Sequence, residues 1–127
     1  MKDVLIVYDD PSMRQALVNV VQFWGYQSGA ISSSDALSLE NLPSIPDVIL
    51  LQFVAPISDT IELLREIRSN EATASVPVIV IAAADAPDYK QICLENGAFD
   101  YLGGRWSLED LRSAVRLAVG NGPTRRR

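Results

Sequence analysis

The sequence predicts an α/β fold, a doubly wound sheet of five parallel strands built as (βα)5. Three observations predict it. The runs Val4-Leu5-Ile6-Val7, Val48-Ile49-Leu50-Leu51 and Val78-Ile79-Val80-Ile81 are aliphatic throughout, as strands covered on both faces must be. Around them lie segments whose apolar residues recur every three or four positions, the period of a helix that packs by one face. The two kinds of segment alternate, so successive strands run parallel and are joined by helical crossovers.

The elements follow in order. The first strand ends in Tyr8-Asp9-Asp10-Pro11, where Asp10 suits a helix N-cap and Pro11 the first helical turn. Met13, Ala16, Leu17, Val20, Val21 and Trp24 form that helix's apolar stripe, and Gly25 is its stop signal. A weaker strand over Tyr26–Ile31 leads to a helix over about Ser34–Leu42, which carries only a partial stripe at Ala36, Leu37 and Leu39. After the strand at Val48–Leu51, the spacing of Asp59 and Glu62 predicts a capping box, and Ile61, Leu64 and Ile67 mark the buried face. The strand at Val78–Ile81 precedes a helix over Pro87–Asn96 that Gly97 stops. Phe99–Leu102 is a short last strand, and Ser107 caps a helix that runs through Val119. The two weaker strands, second and fifth, belong at the edges, which gives the flavodoxin-like order 2-1-3-4-5.

A chain of 127 residues, 48% hydrophobic and 21% charged, is long enough to bury one core without metals or disulfides. Residues 1–120 are read as one domain and 121–127 as a flexible tail or linker stub. Cys93 is the single cysteine, which excludes an internal disulfide and a cysteine-built zinc site and points to a reducing compartment. The opening aliphatic stretch of four residues is too short for a signal-peptide core or a membrane span, so a cytoplasmic protein with no membrane partner is expected. A net charge of −5 argues against direct nucleic-acid binding, and Arg125-Arg126-Arg127 after a Gly-Pro segment reads as a solvated tail.

In an open α/β sheet, ligands sit beyond the carboxyl ends of the strands where the winding reverses, here between the first and third strands. Tyr8, Asp9, Asp10, Gln52, Ala82 and Gly104 line that crevice. There is no histidine, no glycine-rich phosphate loop and no nucleophile–base pair, so an enzyme is not expected.

On these residues the chain resembles the response-regulator (CheY-like) receiver family from about Lys2 to Val119, and residues 1–120 are identified as a receiver-like domain of two-component signalling. Val4 to Pro11 is similar to the family's acidic opening motif, Val48 to Pro56 to its phosphoacceptor strand and loop, and Gly97 to Leu102 to its last strand. The resemblance implies a phosphoryl transfer from a phospho-histidine to an aspartate, assisted by two acids, Mg²⁺, a hydroxyl and a lysine. Such chemistry needs a carboxylate nucleophile, hard oxygen ligands for the metal and cations to offset the phosphoryl charge.

At the matching positions this chain has Gln52 for the nucleophile, Tyr8 for the first acid, Ala82 for the hydroxyl and Gly104 for the lysine. Arg105 replaces the proline that follows the lysine in the family, which removes the basis for a cis peptide there. Only Asp9 is kept, so Mg²⁺ binding at Asp9 is expected to be weak, with the Tyr8 ring filling the space of the hydrated ion, and no cofactor is expected. This is the pattern of a pseudo-receiver, a phosphorylation-independent module acting by protein–protein interaction. The alternative is a phosphoreceiver that uses a substitute acid, Asp9 or Asp10. Asp10 is more simply a helix cap and Asp59 part of its capping box, while Asp9 is more simply an acid bonded to loop amides and the Tyr8 phenol.

Tyr101 matches the family's aromatic switch position, and with Ala82 in place of the hydroxyl that coupling loses one end. Tyr101, Arg105 and Trp106 are candidate interface residues, and Trp106, following a loop, is expected to be more exposed than Trp24 on its helical stripe. Cys93 is read as an inert packing residue. The resemblance implies a protein partner such as a histidine kinase, another receiver or an output domain. It also implies a homodimer through the fourth predicted helix, fifth strand and fifth predicted helix.

Overall fold

The computed structural model describes residues 2–33, 44–83 and 86–120. In chain order the elements are β1 (Asp3–Val7), α1 (Pro11–Phe23), β2 (Gln27–Ile31), β3 (Val48–Gln52), α2 (Ile57–Ser69), β4 (Val78–Ile81), α3 (Pro87–Glu95), β5 (Asp100–Leu102) and α4 (Leu108–Gly120). The five strands form one parallel sheet in the order β2-β1-β3-β4-β5, as the aliphatic runs predict. The helix expected over Ser34–Leu42 and the tail at 121–127 lie outside the described residues.

Side chains alternate across the sheet and so feed two cores. Val4, Ile6, Val48, Leu50, Ile79 and Ile81 pack beneath α1 and α4 against Leu17, Val21, Leu111 and Val115. Leu5, Val7, Ile49, Leu51, Val78 and Val80 pack on the other face with Ile61, Leu64 and Ile67 of α2 and Cys93 of α3. β4 throughout and β3 as far as Leu51 are apolar because both of their faces are covered; β2, at the edge, reads Gln-Ser-Gly-Ala-Ile and has no fully buried residue. Burial pushes the Cys93 thiol pKa upward, which fits an inert packing role.

The helix ends obey local chemistry. The Asp10 carboxylate accepts from Ser12 N–H at 2.9 Å, and Pro11 opens α1. Ser107 and Asp110 form a reciprocal capping box at α4, with Asp110 N–H donating to Ser107 Oγ at 3.1 Å and Ser107 N–H to Asp110 Oδ2 at 2.9 Å. Gly25 and Gly97 follow α1 and α3 with φ of 100° and 102°.

The expected capping box at Asp59 and Glu62 is not formed. Helix α2 starts three residues earlier than that box implies, at Ile57, with Pro56 at the N-cap and no side-chain cap bond, so Asp59 lies inside the first turn. The preceding loop is held instead by Thr60, whose hydroxyl accepts from Val54 N–H and donates to Val54 O, both at 2.9 Å.

Candidate functional site

The sheet register assembles the crevice. β1 and β3 pair Val7 with Leu51, so the next residues, Tyr8 and Gln52, arrive side by side. β3 pairs Gln52 with Ile81 and β4 pairs Ile81 with Leu102, so Ala82 and the Gly103-Gly104 turn follow at the same rim. Tyr8, Asp9, Asp10, Gln52, Ala82 and Gly104 are thus gathered at the carboxyl end of the sheet.

The polar groups there bond to one another. Asp9 N–H donates to Gln52 Oε1 at 2.8 Å, joining the β1 loop to the end of β3. The Asp9 carboxylate accepts from Ser33 N–H at 2.8 Å through one oxygen and from Ser33 Oγ at 2.9 Å through the other. One backbone amide and one carboxylate thereby tie together the loops after β1, β2 and β3. Arg14 also turns back to this loop, its Nη1 donating to Tyr8 O at 3.0 Å.

The Tyr8 ring does not stand in the crevice; Tyr8 follows β1 on the α1/α4 side and is 6% exposed within that core. Burial pushes its phenol up to about 12, so the ring is neutral at any physiological pH. Accordingly the Asp9 carboxylate is bonded by the amide and hydroxyl of Ser33, and the Tyr8 phenol is not its partner.

A hydrated Mg²⁺ keeps several of its waters and is held through one or two carboxylates in octahedral array. Asp9 offers one carboxylate, with both oxygens already bonded to Ser33. Among the described residues no group of three or more His, Cys, Asp and Glu side chains is placed to hold a metal.

Gly104 adopts φ 71°, in the left-handed region that costs a residue with a Cβ about 1–2 kcal/mol. A lysine would not be accommodated there without strain. The cis peptide among the described residues is Ala55–Pro56, so the Gly104–Arg105 bond is trans.

A second feature lies to one side of the crevice. Tyr101, 4% exposed, points into the α2/α3 core, where Phe53 meets it edge-on at 6.4 Å and stacks on Tyr89 at 5.4 Å. A cleft of about 440 Å³ opens beside it, lined by Lys90, Tyr101, Gly103, Arg105, Trp106 and Asp110 among others. Lys90 and Arg105 are exposed and form no ion pair with any described carboxylate. Trp106 is half-buried against the α1/α4 core, less open than its loop position suggests, and Trp24 is likewise half-buried, beneath Arg112 at 5.8 Å.

Ser33, Phe53 and Tyr89 escape a reading of the sequence. The Ser32-Ser33-Ser34 run signals a turn, but which hydroxyl reaches Asp9 depends on the pairing of β1 with β2. Phe53 directly follows Gln52, yet its stacking on α3 is a tertiary fact.

The sequence model of the response regulator receiver domain matches residues 4–116. The chain belongs to that family. It is 32% identical over 119 residues to the KDP operon transcriptional regulatory protein KdpE of Escherichia coli, covering 94% of this chain and 52% of that protein. It is 30% identical over 118 residues to the phosphate regulon transcriptional regulatory protein PhoB of Pseudomonas aeruginosa, covering 93% and 52%. The chain therefore spans about half the length of these curated relatives. Among solved structures it resembles the receiver domain of a Pseudomonas aeruginosa sensor histidine kinase described with a magnesium ion coordinated in its active-site cleft. That match has a TM-score of 0.78 and 26% identity, and covers 94% of this chain and 98% of that one. No described helix here is long and apolar enough to cross a membrane.

Proposed function

We propose that this receiver domain works without an aspartyl phosphate, as a protein-binding module of a two-component or phosphorelay system. The observation that carries the reading is the bond from Asp9 N–H to Gln52 Oε1. A neutral amide stands where the resemblance places the nucleophile, and it is engaged in closing the crevice. Gln52 cannot form an acyl phosphate, and Asp9 has both carboxylate oxygens committed to Ser33. Asp10, the other substitute acid, is spent on capping α1, so the alternative of a phosphoreceiver using Asp9 or Asp10 is disfavoured. The same donor set argues against Mg²⁺ as a resident cofactor.

The partner surface in this proposal is the cleft between α3, β5 and α4. The buried Tyr101 ring forms its floor, while Lys90 and Arg105 supply exposed positive charge suited to carboxylates on a histidine kinase, another receiver or an output domain. A second copy fits this face less well, because a two-fold axis would bring the cations of both chains together. The test is to measure partner binding before and after incubation with Mg²⁺ and a small-molecule phosphodonor. The proposal expects an unchanged affinity, with Arg105→Glu weakening it. A phosphodonor-dependent change of about tenfold, roughly 1.4 kcal/mol, contradicts it.

A further inference from the structure

The exposed face of α1 carries no charge. Its outward residues are Ser12, Gln15, Ala16, Asn19, Gln22 and Phe23, spaced at three and four positions, so they form one seam about 120° wide. The sole ionisable side chain of this helix, Arg14, is turned away to bond Tyr8 O. Each of α2, α3 and α4 exposes carboxylates and cations on its outer face, so α1 is distinct among the described helices. The seam ends in Phe23, whose ring is 89% exposed, and Gln15 Nε2 donates to Asn19 Oδ1 at 3.0 Å along its middle.

We infer that this seam is a self-association surface whose occupant is α1 of a second copy of this chain. Charge favours that occupant. Each chain carries −5, so two copies repel over most of their surfaces, and an uncharged helix face lets them approach without opposing carboxylates. Shape favours it too. The seam has small residues, Ser12 and Ala16, in its first half and large ones, Asn19 and Phe23, in its second. An antiparallel pairing about a two-fold axis near the helix midpoint sets Phe23 of one protomer over the partner's Ser12 and Asn19 over the partner's Ala16. Large then meets small at both of these levels, with Gln15 and Gln22 along one edge of the seam, and the surface is complementary to itself along its centre, as an isologous contact requires. The antiparallel arrangement also opposes the two helix dipoles favourably.

A 13-residue helix is about 20 Å long, so the contact is smaller than the roughly 800 Å² per partner of a standard stable interface. The dimer is therefore weak and depends on concentration. This surface is separate from the α3–β5–α4 cleft and leaves it open to another partner.

Sedimentation velocity on the 127-residue chain, from roughly 10 μM to roughly 1 mM, tests the inference over the range of a weak interface. The expected result is a weight-average mass that climbs from one chain toward two. Phe23→Glu and, separately, Gln15→Glu should each hold it at one chain, with near-UV circular dichroism unchanged as a check on folding. A mass that stays at one chain at every concentration overturns the inference and leaves the seam to a helix of another protein. A dimer that both variants leave intact overturns the assignment to α1.

Discussion

The sheet interior and the crevice at its carboxyl rim are built from the same strands and yet follow different rules. Inside, β1, β3 and β4 meet the demands of the receiver fold with aliphatic residues that are almost wholly buried. One residue further along each strand, the side chains are Tyr8, Gln52 and Ala82; Gln52 accepts from the Asp9 backbone amide, and Tyr8 packs into the α1/α4 core. Packing constrains volume and polarity at every interior position, whereas the rim is constrained only by the chemistry it performs. The interior and the rim of one sheet can thus vary independently.

The interior should give the largest response to substitution. Leu50 is fully buried in β3, and Leu50→Ala removes its side chain from a packed site, so urea unfolding should show a loss of about 2–5 kcal/mol. A loss under about 1 kcal/mol would mean that the core is loosely packed and would weaken the contrast.

Tyr8 belongs to both regions, and its titration sharpens where it sits. Its folded pKa of about 12 lies above the unfolded value of about 10, so the native state holds the phenolic proton more tightly. The associated stability is fully present below about pH 10 and is lost as pH rises toward about 12, by roughly 2–3 kcal/mol. Tyr8→Phe should remove that part of the alkaline loss. If both chains lose stability in parallel over this interval, the ring is solvated and does not belong to the core.

The crevice should respond least. Ser33→Ala removes the hydroxyl bond to Asp9 but leaves the Ser33 backbone bond, in a solvent-exposed setting, so the expected cost is about 0.5–1 kcal/mol in the same urea measurement. A cost comparable with Leu50→Ala would show that the rim, too, is held by packing.

The same contrast explains what was legible in the sequence. The order of the strands was readable because β3 and β4 are covered on both faces and β2 and β5 are not, so burial wrote itself into composition. Caps at Asp10 and Ser107 were readable because they act within a few residues. The start of α2 was misread because the Asp59 and Glu62 spacing imitates a cap, while the real loop anchor is Thr60 on Val54. At the rim, the residues facing the crevice followed from the strand ends, but the bonding between them did not. The Asp9–Ser33 and Asp9–Gln52 contacts span 24 and 43 residues, and the packing of Tyr8 into the α1/α4 core joins it to residues far away in sequence.

The measurement that bears most directly on the central claim is the intact mass of the purified chain after incubation with Mg²⁺ and a small-molecule phosphodonor, beside a Gln52→Asp variant treated alike. The account predicts no phosphoryl adduct on the natural chain, whatever the variant does. An adduct on the natural chain mapped to Asp9 or Asp10 would contradict it and return the domain to the phosphorelay.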